Sequence, residues 1–192
     1  MIQAAEKEDG AEVMPLLHAA IGSIACSLAG VDDEAEAMGI LAVFYEQEGN
    51  RISYQNVIVD KHDGVITGIL VCYGGDDAAA LDRPFIERIE LETGRIGYSI
   101  TQETQPGEFY LDSIAVDEQY QGMGIAKALM AAFEAKAIEA GYSLVSLIVE
   151  EYNERAHALY VKMGYVEDGV LEVSGHVYKR MVKRPMAAEE VD

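Results

Sequence analysis

The chain has 192 residues, half of them apolar and a quarter charged, which suits one folded domain and excludes an intrinsically disordered chain. Asp and Glu number 34 against 14 Lys and Arg, a formal charge of −20. A chain this acidic is repelled by phosphate backbones and anionic bilayers, so neither nucleic acid nor a membrane surface is an expected partner. No stretch approaches the roughly 20 apolar residues of a membrane span. Residues 1–9 lack the basic-then-apolar order of a signal peptide. Cys26 and Cys72 lie in apolar runs and read as buried free thiols; no Cys/His cluster has zinc spacing, and no metal is implied. The expected location is the cytoplasm.

Taken in chain order, residues 1–5 read as an edge strand. From Asp9 to Leu28 apolar residues recur at helical spacing (Val13, Leu16, Leu17, Ala20, Ile21, Ile24). Asp32, Asp33 and Glu34 supply cap chemistry for a second helix reaching Tyr45. The β-branched runs 57–59 and 65–71, split by Asp63-Gly64, predict an antiparallel hairpin. Residues 74–107 are ambiguous, with a short helix over 84–91 and a polar stretch around Pro106. This segment reads as an insertion, lid or oligomer surface. Glu108–Val116 is a predicted strand, 117–124 a loop, and 125–140 a helix closed by Gly141. Leu144–Val149 reads as a strand buried on both faces. Asn153 opens a helix to Met163, and 170–173 with 176–182 form a closing pair of strands. Residues 1–184 thus make one domain of mixed α+β class, followed by an acidic tail at 185–192.

The informative segment is Gln121-Gly122-Met123-Gly124-Ile125-Ala126-Lys127, between a strand and a helix. Two glycines permit positive φ, and the helix start aims free N–H groups and its positive dipole end at the loop. That is an anion site, usually for phosphate. The P-loop spacing is absent, and the dinucleotide fingerprint fails because Lys127 occupies its third position. A tight turn with no ligand would use the same glycines.

Gln121-x-x-Gly124-x-Ala126 resembles the pyrophosphate motif of the GNAT superfamily of N-acetyltransferases. The strand Leu111–Val116 running into it, and Leu147-x-Val149-x-x-x-Asn153-x-x-Ala156-x-x-Leu159-Tyr160-x-x-x-Gly164-Tyr165 after it, are similar to that family's cofactor segments. The two segments cover about residues 108–166. The resemblance implies the family's fold: a central, mixed, largely antiparallel sheet, flanked by helices and splayed at the cofactor site. It implies acetyl-CoA as cosubstrate, with its pyrophosphate on the backbone N–H groups of Gln121, Gly122, Met123, Gly124, Ile125 and Ala126 and with Lys127 nearby. Ile114, Ala115 and Val116 would offer backbone groups to the pantetheine arm. Asn153 and Ala156 would line it from the following helix, whose i, i+3, i+7 spacing puts them on one face with Tyr160.

Tyr160 is the implied general acid for the departing sulfur. The attacking amine must lose a proton, and alternation on strand 108–116 places Glu108, Tyr110 and Asp112 on one face, so Asp112 and Glu108 are candidate bases. His176 on a closing strand is a further group that could face the acceptor. The expected acceptor is a small-molecule or peptide amine, and family members are often homodimers. Two rivals stand beside this reading: a non-catalytic CoA-binding regulatory module on the same fold, and another nucleotide-phosphate enzyme using the same loop.

Overall fold

The computed structural model describes residues 1–186; the acidic tail expected at 185–192 lies outside the described residues from 187 on. The strands are β1 (Ile2–Ala4), β2 (Val57–His62), β3 (Val65–Gly74), β4 (Phe109–Val116), β5 (Val145–Glu150), β6 (Val166–Val173) and β7 (His176–Lys183). They form one sheet in the order β1-β2-β3-β4-β5-β7-β6, in which β4 and β5 are parallel and all other neighbours antiparallel. The helices are α1 (Gly10–Ile21), α2 (Ile24–Ala29), α3 (Glu34–Tyr45), α4 (Ala78–Thr93), α5 (Ile125–Glu139) and α6 (Glu154–Lys162). The mixed, largely antiparallel α+β architecture is the one the sequence implies. The β2–β3 turn holds Asp63 at φ 51° and Gly64 at φ 84°, the pair of positive values that a two-residue hairpin turn needs.

Alternation along the strands divides the core in two. Val57, Val59, Ile69 and Val71 face Leu17, Leu41 and Tyr45 of α1 and α3. Ile58, Leu70, Cys72, Phe109 and Leu111 face Leu129, Met130 and Phe133 of α5. Each fully buried side chain of this size contributes roughly 1.5–3 kcal/mol. A Cβ on Gly68 would lie 2.9 Å from Ile125 Cγ2, so glycine there lets the start of α5 sit close against β3. Both cysteines are free thiols, Cys72 buried and Cys26 partly so.

Two helices differ from expectation. The single helix predicted over 9–28 is two, broken at Gly22, whose φ of 51° and ψ of −129° lie outside helical space. The apolar period runs on because Leu17 and Leu28 serve the same core. The helix predicted over 84–91 runs from Ala78 to Thr93, with Pro84 in its interior rather than at its start. Its Phe85 is in the core, and the chain beyond it is tied down by Arg95 and Tyr98 side chains bonding the carbonyls of Gly30 and Ser27.

Strand β4 carries the feature that builds the site. Its register against β3 slips between Val71↔Ser113 and Cys72↔Leu111, so Asp112 has no partner and forms a bulge. Before the bulge, Phe109 and Leu111 face α5; after it, Ile114 and Val116 do. A bulge bends and twists its strand. Beyond Leu111↔Leu147 the pairing with β5 ends, while β5 continues along β7 to Glu150↔Tyr178. The sheet therefore opens between β4 and β5.

Candidate active site

Two cavities meet at this opening. The first, about 760 Å³, is a groove lined by Ile114–Val116, Gln121, Gly122, Gly124–Lys127 and the α6 face that carries Asn153, Ala156 and Tyr160. Asp117 N–H bonds Thr67 O across to β3, so alternation turns the Ile114 and Val116 N–H groups towards the open gap. Gly122 and Gly124 have φ of 80° and 84°, and a Cβ at either would meet nothing within 4 Å. The glycines thus answer a backbone demand, and the space beside them is open to a ligand. Met123 projects outward, 65% exposed.

The charge of this groove is unlike that of the chain. It is lined by Lys127, Arg155 and Lys162 and by no carboxylate, although the chain holds 34. Among the described residues none of these three cations is in an ion pair. The sequence reading missed Arg155 and Lys162, whose i, i+7 spacing on the helix opened by Asn153 was the available signal. Three basic residues of the last strand, by contrast, are held in ion pairs: Lys179 with Glu167, Arg180 with Glu108 and Asp168, Lys183 with Glu134.

The second cavity, about 370 Å³, lies on the other side of the opening. The α1–α2 elbow (Ala19–Ile24) forms one wall, and Ile148–Glu150, His176 and Tyr178 form another. Its floor is Arg51, Glu103, Asp112 and Ser113. Ile114, Asn153, Ala156 and Tyr160 line both cavities.

Tyr160 is 6% exposed, and burial pushes its hydroxyl up to about 12. Asn153 caps α6, its side chain accepting from Ala156 N–H at 3.1 Å, so one residue both lines the junction and positions the helix that carries Tyr160. Asp112 reaches the floor of the acidic cavity. Its Oδ2 accepts from Arg51 Nε at 3.0 Å, from Arg51 Nη2 and from Tyr73 at 2.7 Å. Its Oδ1 accepts from no donor among the described residues. Glu108, expected beside Asp112, is placed elsewhere. It lies just before β4, lines neither cavity, and both its oxygens are held by Arg180, with Thr104 and Gln105 N–H also donating. Burial pushes its carboxyl up, but these hydrogen bonds outweigh that and leave it lowered.

Arg51 and Glu103 went unread in the sequence, since each sits in a loop without a pattern. Arg51 meets Asp82 at 3.3 Å and Glu103 at 3.4 Å besides Asp112, and all four side chains are under 10% exposed. Burial raises Asp82 and Glu103 against the pull of Arg51. His176 lines the cavity with Nδ1 3.1 Å from Glu150 Oε1. His157, one position off the Asn153/Tyr160 face, pairs with Glu167 at 2.7 Å.

An anion groove on a glycine loop thus opens through a split sheet onto an acidic cavity. The sequence matches the model of the Acetyltransferase (GNAT) family over residues 23–165, and the chain belongs to that family. It is similar to a solved acetyltransferase structure at 32% identity and a TM-score of 0.79, covering 97% of this chain and 100% of that one. An N-acetyltransferase from Staphylococcus aureus Mu50 is similar at 22% identity and a TM-score of 0.75, over 95% and 100% of the two chains. The ribosomal-protein-S18-alanine N-acetyltransferase from Escherichia coli is similar at 17% identity and a TM-score of 0.59, over 100% and 98%. The last two likenesses bear on fold alone. A search of curated protein sequences returned no match.

Proposed function

We propose that the chain moves an acetyl group from acetyl-CoA to a primary amine by direct attack. The observation that carries this is the opposed charge of the two cavities: one basic, on open backbone donors, and one acidic, with Tyr160 between them. The groove fits the cosubstrate's chemistry. Backbone N–H groups at Gly122–Ala126, with Lys127, Arg155 and Lys162, would hold the phosphates, and Ile114 and Val116 N–H would pair with the amide-bearing arm. When bound, acetyl-CoA supplies an activated thioester carbonyl. The chain does the rest. The acidic cavity draws in the ammonium, and we assign proton removal to His176, held by Glu150 at the mouth. Asp112 and Glu108, the carboxylates first expected to do this, are committed to Arg51 and Arg180. A hydrogen bond from Tyr160 then stabilises the departing sulfur. The C–N bond forms as the C–S bond breaks; one proton leaves to His176, and the nitrogen's second surplus proton ends on sulfur.

A non-catalytic CoA-binding module would have no use for an acidic cavity opening onto the reacting junction. Free thiols and the lack, among the described residues, of a helix fit to cross a membrane agree with a cytoplasmic setting. Calorimetry with acetyl-CoA on wild type and Gly124→Glu tests the reading. We expect micromolar binding, lost in the variant, whose carboxylate enters a groove that has none. Tight binding of ATP or NAD in place of acetyl-CoA would overturn it.

A further inference from the structure

We infer that the acceptor is a diamine, with one nitrogen reacting at the junction and a second ammonium seated on the Arg51-centred acid cluster. The inference rests on the acetyl-transfer reading above. The cluster sets three carboxylates, Asp82, Glu103 and Asp112, around one guanidinium, all nearly sealed from water. Buried charge is sustained by partners, and this cluster is short of cations. Two of its carboxylates line the cavity, and Asp112 keeps Oδ1 free of the chain's own donors.

A second observation points to a ligand at the same place. Ser113 is 7% exposed, and its Oγ is, among the described residues, the one buried side-chain polar atom without a partner. A regular strand would send consecutive residues to opposite faces. The bulge instead turns Asp112 towards Tyr73 and Ser113 towards Val71, two residues of β3 that share a face. An ammonium has three N–H donors; Asp112 Oδ1 and Ser113 Oγ have no donor among the described residues, and Glu103, which accepts from Arg51 and from Tyr110, lines the same cavity with lone pairs to spare.

Spacing sets the length of the acceptor. The reacting nitrogen must be neutral to attack, so it cannot balance the cluster itself. Asp112 lies two residues before Ile114 at the junction, and across the bulge that separation is at most about 6–7 Å. An extended four-carbon diamine separates its nitrogens by about 6 Å. The reaction is that of the monoamine; only the second ammonium, unchanged throughout, is added.

The test compares butane-1,4-diamine with butylamine by release of CoA thiol from acetyl-CoA, using the full chain. Wild type should favour the diamine at least tenfold in kcat/KM. Glu103→Gln should bring the ratio near one, chiefly by raising the diamine KM, with a smaller loss for butylamine. Ser113→Ala, which removes only an unpartnered hydroxyl, should lower the ratio without lowering Tm, and it decides the matter if Glu103→Gln does not fold. Equal use of the two amines by wild type overturns the inference. So does an equal loss for both amines in a folded variant, or transfer to neither by a chain that binds acetyl-CoA. Failure to bind acetyl-CoA would instead overturn the acetyl-transfer reading.

Discussion

A tyrosine hydroxyl held at about 12 is a weak acid beside a thiol of ordinary pKa near 8.5. Tyr160 therefore acts by keeping its proton and donating a hydrogen bond to the sulfur as charge develops there. Tyr160→Phe should lower kcat by about 10²-fold, within the usual range for such a group. Acetyl-CoA affinity by calorimetry should change less than threefold. An unchanged kcat would remove Tyr160 from the chemistry. Residues like Tyr160 and Asn153 are legible in sequence because their spacing on one short helix already defines a face. Glu103 and Ser113 are not. Glu103 reaches the cavity by the path of an irregular loop, and Ser113 by a one-residue slip in strand register, and neither leaves a periodic trace.

Short helix α6 matters as an element because it carries Asn153 at its cap and Tyr160 in its last turns. A nine-residue helix is marginal without its cap. Asn153→Ala should cost about 1 kcal/mol, seen as a fall in Tm of about 2–4 °C, with a raised KM for acetyl-CoA as the face loosens. A lower Tm with unchanged KM would make Asn153 a cap only. The break at Gly22 has a functional use that its sequence does not announce. Apolar spacing passes through Gly22 unbroken, yet the elbow there forms a wall of the acidic cavity. Pro84 misleads in the opposite way, since proline suits a first turn but here lies inside α4, where tertiary packing of Phe85 outweighs its cost.

At the scale of the molecule, the charge of −20 acts over distance. It should speed the encounter with a cationic amine, so kcat/KM for the amine should fall as salt rises from about 10 mM to 0.3 M, while kcat holds. A flat salt profile would confine electrostatics to the pocket. Buried tyrosines set the alkaline limit of the fold. Burial raises Tyr160 to about 12, and Tyr45, Tyr73, Tyr110 and Tyr165 are raised as well. A raised folded-state pKa gives stability that is complete below the unfolded value near 10 and is lost as pH climbs through the folded one. Thermal melts should therefore hold level to about pH 9.5 and decline between pH 10 and 12. A Tm unchanged to pH 12 would contradict this.

The amino-acid order by itself determined the mixed α+β class, the hairpin at Asp63-Gly64, the glycine loop that begins α5 and the face shared by Asn153, Ala156 and Tyr160. These are local matters of periodicity, cap chemistry and positive φ, and local rules are written in neighbouring residues. Only the tertiary structure decided that Glu108 is spent on Arg180, 72 positions away, and that Arg51 gathers acids from α4, β4 and a loop. It also decided that three cations line a groove free of carboxylates. Such pairings depend on which distant side chains folding brings within a few ångströms, and charge or burial becomes meaningful only once those neighbours are in place.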